Sequence, residues 1–121
     1  MARFLVVLQP SQIPASGDLI TALNPLLQHL AAEVEHRTTV HLSALLRDAG
    51  DNLSLQLFAD VQAKKMGPVL ELVLMSREAM GRGAPLTHQR FRQLLSTLEE
   101  TAPQLQLLFR SDRDGPVPDQ D

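Results

Sequence analysis

Between residues 53 and 61 the chain reads Leu-Ser-Leu-Gln-Leu-Phe-Ala-Asp-Val, so Leu53, Leu55, Leu57, Ala59 and Val61 fall at every second position. A period of two is that of a strand with one face buried. After a polar link, Gln62 to Pro68, a second apolar run follows, Val69-Leu-Glu-Leu-Val-Leu-Met75. Two such runs joined through Gly67-Pro68 read as an antiparallel hairpin. The second run is apolar at both odd and even positions, which places it inside a sheet rather than at its edge.

The rest of the chain can be arranged around this hairpin. Phe4-Leu-Val-Val-Leu8, followed by Pro10, reads as a short strand buried on both faces. Asp18 to Arg37 reads as helical. Asn24-Pro25 marks either the start of the main helix or a kink within a longer one, and Leu23, Leu26, Leu27, Leu30 and Val34 form the core stripe. Thr38 to Leu46 reads as a strand with Val40, Leu42, Ala44 and Leu46 on one face. Arg47 to Asn52 reads as a turn. Thr87 is the expected N-cap of a second helix, with Leu86 and Phe91 as a hydrophobic staple. Phe91, Leu94, Leu95, Leu98 and Ala102 form its apolar stripe, Pro103 ends it, and Leu105, Leu107 and Phe109 mark a last strand. The order β-α-β-β-β-α-β predicts an α+β fold: a two-layer sandwich of about five strands with two helices on one face.

With 121 residues there is material for one domain, assigned to 1–110. Residues 111–121, with Asp, Gly and Pro and no apolar pattern, read as a disordered acidic tail. That tail holds four acids and one base, so it carries the whole formal charge of −3 and leaves the body neutral. A neutral body with no Trp or Tyr argues against nucleic-acid binding. No apolar run approaches the ~20 residues of a membrane span, and the absence of cysteine excludes disulfides and thiolate metal sites. These features together fit a cytosolic protein. Two helices cover only one face of such a sheet, yet the other is not cleanly polar: Leu5 and Val7 alternate with Phe4, Val6 and Leu8, Val69, Val73 and Met75 alternate with Leu70, Leu72 and Leu74, and Phe58 lies on the polar side of its strand. An apolar second face implies a covering partner, and in a short chain a second copy is the expected one.

Two clusters could carry chemistry. Arg77, Arg82, Arg90 and Arg92 lie within sixteen positions that contain one acid, Glu78. With Gly81 and Gly83 leading to a helix N-terminus, Arg77, Arg82 and Arg90 suggest an anion site, although Gly-Arg-Gly lacks the spacing of a phosphate-binding fingerprint. The other reading is a solvated loop and outer helix face. His29, Glu33 and His36, at i, i+4 and i+7 of the first helix, share one face and are weak candidates for zinc, with His41 able to approach. The other reading is a polar flank, and no metal or cofactor is assigned. No catalytic triad, paired-carboxylate motif or nucleophile elbow is readable.

Met1-Ala-Arg-Phe-Leu-Val, the helix from Asp18, Leu72-Val-Leu, Gly81-Arg-Gly-Ala-Pro and the helix from Thr87 together resemble the tautomerase superfamily, in particular its 5-carboxymethyl-2-hydroxymuconate isomerase-like members. The resemblance implies trimers that pack sheet faces together. It also implies a general base at a proline directly after the initiator Met, with a substrate-binding arginine for which Arg37 is a candidate. Position 2 is alanine, and Pro10 lies within the chain, where its nitrogen is an amide. The expected function is therefore an oligomeric interaction or accessory protein. The alternative is a tautomerase-like isomerase or a ligand-binding protein with an anion site at the Gly81–Gly83 loop.

Overall fold

A computed structural model describes residues 2–11, 19–48, 53–65 and 67–114. Among them six strands form one antiparallel sheet: β1 (Ala2–Pro10), β2 (Glu33–Arg37), β3 (His41–Asp48), β4 (Leu53–Lys64), β5 (Gly67–Ser76) and β6 (Leu105–Arg110), in the order β2-β3-β4-β5-β1-β6. The helices are α1 (Asn24–His29), preceded by a 3-10 segment at Leu19–Leu23, α2 (Pro85–Thr101), preceded by a 3-10 turn at Met80–Arg82, and the single turn α3 (Ser111–Asp114).

The hairpin of the sequence pattern is present, with Leu57 opposite Leu74, Ala59 opposite Leu72 and Val61 opposite Leu70. Its loop is shorter than the polar link: pairing runs to Lys64–Gly67, and Gly67 adopts φ +118°, which side-chain-bearing residues rarely adopt. β5 lies in the interior of the sheet, between β4 and β1. The alternate residues Leu70, Leu72 and Leu74 of β5, Leu55, Leu57 and Ala59 of β4, Leu42, Ala44 and Leu46 of β3, and Phe4, Val6 and Leu8 of β1 face α1 and α2. There they bury against Leu23, Leu26, Phe91, Leu94 and Leu98. Each Leu, Val or Phe side chain removed from water there contributes about 1.5–3 kcal/mol before the entropy of ordering is deducted.

The first helix is much shorter than its apolar spacing suggests, and Glu33–Arg37 is a sixth strand. Leu26, Leu27, Leu30 and Val34 keep helical spacing, but the chain leaves the helix at Ala31, which takes a left-handed φ of +52°. The Ala31 N–H donates to the Gln28 carbonyl and the Ala32 N–H to the Leu27 carbonyl, the reciprocal pair of a Schellman stop. Glycine normally marks that position; alanine left no sign of it. The main helix does begin at Asn24-Pro25, although Leu23, not Asn24, is its N-cap, and without a side-chain bond.

β6 also departs from simple alternation. Leu107 pairs with Leu8 and Phe109 with Val7, so Leu108 is bulged and Phe109 crosses to the face away from α1 and α2. There it joins Val73 against a second cluster of buried residues, Leu5, Val7 and Val69. Ser111–Asp114, grouped with the tail by composition, form α3 beside β1. Residues 49–52 of the expected turn and 115–121 of the expected tail lie outside the described residues.

Candidate functional site

The densest polar constellation is built around the first turns of α2 and draws on β1, β5, β6 and α3. Pro85 is the first helical residue and Ala84 the N-cap, so Thr87 sits inside the first turn and is not the cap expected for it. The capping is done by Glu78. Its Oε1 accepts from the Thr87 N–H at 2.7 Å and from the Thr87 hydroxyl at 2.7 Å, and its Oε2 accepts from the Leu86 N–H at 3.1 Å. Thr87 Oγ1 lies 2.6 Å from Ser76 Oγ, which accepts the Glu78 N–H at 3.1 Å. Because Thr87 donates to Glu78, Ser76 donates to Thr87, and the four groups close a ring in which each hydroxyl donates once. Burial disfavours the Glu78 carboxylate, but the bonds from Thr87 and Leu86 outweigh it and hold the carboxyl below its ordinary value of 4.5. The helix terminus expected to receive an external anion thus has two of its N–H groups satisfied by the chain's own carboxylate.

One residue on, His88 Nε2 contacts Asp112 Oδ2 at 2.7 Å. Arg110 grips the same carboxylate bidentately, Nε to Oδ1 and Nη2 to Oδ2, both at 2.7 Å. Only 5% of the Asp112 side chain is exposed. The Arg110 hydrogen bonds pull its carboxyl down most strongly, burial opposes them, and the His88 bond adds to them, so it titrates at about 2 and not at 3.8. The His88 ring stacks on Phe4, centroids 5.2 Å apart, and Phe4 stacks in turn on Phe91 at 5.2 Å. The Ser111 hydroxyl, at the head of α3, accepts the Leu5 N–H at 2.9 Å. A carboxylate-oriented imidazole is the arrangement of a general base. Here it also ties three elements together: α2 to α3 through Asp112, and α3 to β6 through Arg110. None of His88, Asp112 or Arg110 was singled out from sequence. Residues 88 and 112 meet only because β6 and α3 fold back along β1, and no local spacing signals that.

The arginines singled out from sequence lie on the loop before α2 and on α2 itself. Arg77 and Arg82 are exposed in the loop. Arg90 lies one turn and a half into α2, where its Nη1 donates to Gln93 Oε1 at 2.9 Å and it lines a cleft of about 210 Å³ with His29, Leu30, Leu46, Leu55, Gln93 and Leu94. Arg77 and Arg82 do not line that cleft. His29, Glu33 and His36 do not share a helix face either. His29 ends α1, and Glu33 and His36 lie on β2. Among the described residues, no three His, Cys, Asp or Glu side chains form a group that could hold a metal ion. Arg37 bonds Asn24 Oδ1 through Nη1 at 2.7 Å, bracing β2 against α1. Ala2 is fully buried and pairs with Ser76.

No family model, curated protein or solved structure matches this chain. No helix among the described residues is long and apolar enough to cross a membrane.

Proposed function

We propose that this protein works by self-association, as a homo-oligomeric interaction or accessory protein of the cytosol, and that the copies meet through the sheet face that α1 and α2 do not cover. The observation that carries this reading is the apolar cluster on that face. Leu5, Val7 and Val69 are buried there, with Val73 and Phe109 half-buried against them. The edges of the cluster remain wet in a single copy, and closing them against an identical face removes that apolar surface from water. Sedimentation velocity of the full chain at micromolar concentration tests this. We expect a multiple of the 13.4 kDa chain mass, and Val73→Asp and Phe109→Ser each shift it to the single-chain mass with an unchanged far-ultraviolet spectrum. A wild-type chain that sediments as a monomer would falsify the reading.

A second reading, a small-molecule isomerase or ligand-binding protein, draws on one observation: Arg90 borders a cleft whose walls include Leu30, Leu46, Leu55 and Leu94. A cation beside apolar walls suits a small carboxylate with an apolar body. The resemblance to the tautomerase superfamily points the same way. Its catalytic proline is replaced here by Ala2, so binding rather than turnover is the property to measure. Amide chemical-shift changes on titration with short-chain carboxylates should localise to residues around Arg90, and their absence removes this reading.

A further inference from the structure

The open face of the sheet carries a second arrangement, at the β2–β3 hairpin. Val34 pairs with Ala44, but His36 pairs with Ser43, so Glu35 is an extra residue in β2. Without this bulge, strict alternation would put His36 on the face of Val34, toward the helices. The bulge turns it to the face of Ser43 and His41, the kind of re-aiming for which bulges are used. Its neighbours confirm the turn: Arg37, on the helix side, reaches Asn24 of α1, and the His36 ring lies 5.7 Å from that of His41, tilted by 48°. His41 is itself fixed from behind. Its Nδ1 lies 2.7 Å from Asp60 Oδ1, directly across the β3–β4 ladder. In the neutral ring the carboxylate places the proton on Nδ1 and leaves Nε2 with its lone pair. The turn between the two histidines is pinned by Thr38, whose Oγ1 accepts from the N–H groups of Val40 and His41 at 3.2 and 3.0 Å.

We infer that His36 and His41 form a two-imidazole site for a divalent transition ion of the zinc or copper type, with Asp60 as the carboxylate that orients His41 and water completing the coordination. Two imidazoles bound at metal–nitrogen distances of about 2.0–2.1 Å, with nitrogen–metal–nitrogen angles between tetrahedral and trigonal, have ring centres about 5.2–5.5 Å apart. The observed separation is within a small rotamer adjustment of that. A carboxylate on the far nitrogen of a ligating histidine is the usual outer-shell partner, because it fixes the tautomer and raises the basicity of the ligand. Imidazole nitrogen selects zinc, copper and nickel over calcium and magnesium. His29 and Glu33 take no part.

Calorimetric titration of the untagged full-length protein with Zn²⁺ tests the inference. We expect saturable binding of one ion per chain at sub-millimolar Zn²⁺. His36→Gln and His41→Gln should each weaken it at least tenfold, Asp60→Asn should weaken it by roughly 10–100-fold, and His29→Gln should leave it unchanged. Paramagnetic Co²⁺ added to the wild-type chain supplies a readout that needs no variant: the ring protons of His36 and His41 should shift first. The absence of saturable binding overturns the proposal, as does binding that survives both histidine substitutions, or a Co²⁺ effect centred on His29 or His88.

Discussion

Replacing Asp112 by asparagine isolates the best-defined electrostatic contribution in the molecule. The carboxylate is almost fully enclosed, accepts two bonds from Arg110 and one from His88, and titrates at about 2 where an unfolded aspartate titrates near 3.8. A folded-state value below the unfolded one means the unfolded chain binds the proton more readily, so stability from this group is complete above pH ~4 and is lost as pH falls through about 2. At 1.36 kcal/mol for each pH unit of displacement, the contribution at neutral pH is about 2 kcal/mol. For a domain of this size that corresponds to roughly 8 °C in Tm. Asparagine keeps the shape and one acceptor oxygen but cannot carry charge, and Arg110, about a quarter exposed, recovers part of its solvation. Urea unfolding of wild type and Asp112→Asn at pH 7, 5, 4, 3 and 2 measures the effect. The wild type should lead by about 2 kcal/mol at pH 7 and 5, and the two curves should converge toward pH 2. A gap that stays constant from pH 7 to 2 would show that Asp112 acts through shape and not through charge, and the argument would be wrong.

Two further substitutions probe the same end of the molecule. Glu78→Ala leaves the Leu86 and Thr87 N–H groups and the Thr87 hydroxyl without their acceptor, and thermal unfolding should show a loss of about 1–2 kcal/mol, the range of a lost helix cap; no change would mean water replaces the carboxylate fully. Gly83→Ala meets no atom within 4 Å, but Gly83 sits at φ +81°, so the cost should be confined to the backbone, about 1 kcal/mol by chemical denaturation, and a neutral result would show that the loop re-forms in another conformation.

The parts of the fold legible in the sequence are those where one local period settles the matter. β4 alternates because one of its faces is packed under helices, β5 is apolar on both faces because it lies inside the sheet, and the stripe of α2 is buried as its spacing requires. What escaped was settled by single residues acting against type. Ala31 ends α1 in a conformation that glycine would have announced, and Leu30 and Val34 at helical spacing then disguised β2. Leu108 and Glu35 insert bulges, and since a bulge leaves no compositional mark, the faces of Phe109 and His36 could not be read from alternation. At the candidate site, Glu78 stood out as the one acid among the arginines, but its role as the cap of α2 required knowing that the loop folds back over Leu86 and Thr87. Asp112 looked like part of a solvated tail because its two partners, Arg110 beside it and His88 across the fold, mark it only once β6 lies along β1.

The strand order also sets the sequence in which the sheet can assemble. β2 through β5 form a continuous meander in which each strand pairs with the next, so its contacts close short loops and can form early. β1 is different. It must wait for β5, some sixty residues downstream, and then for β6, while the Leu5–Ser111 bond spans 106 positions. On the ribosome, Phe4–Leu8 emerges before any strand able to pair with it; it stays unpaired until β5 has been made, and one edge stays open until β6 follows. An apolar strand, Phe4–Leu8, is therefore left waiting during synthesis, and a nascent chain of this design depends on rapid completion, or on a chaperone holding that segment, until β5 and β6 arrive on either side.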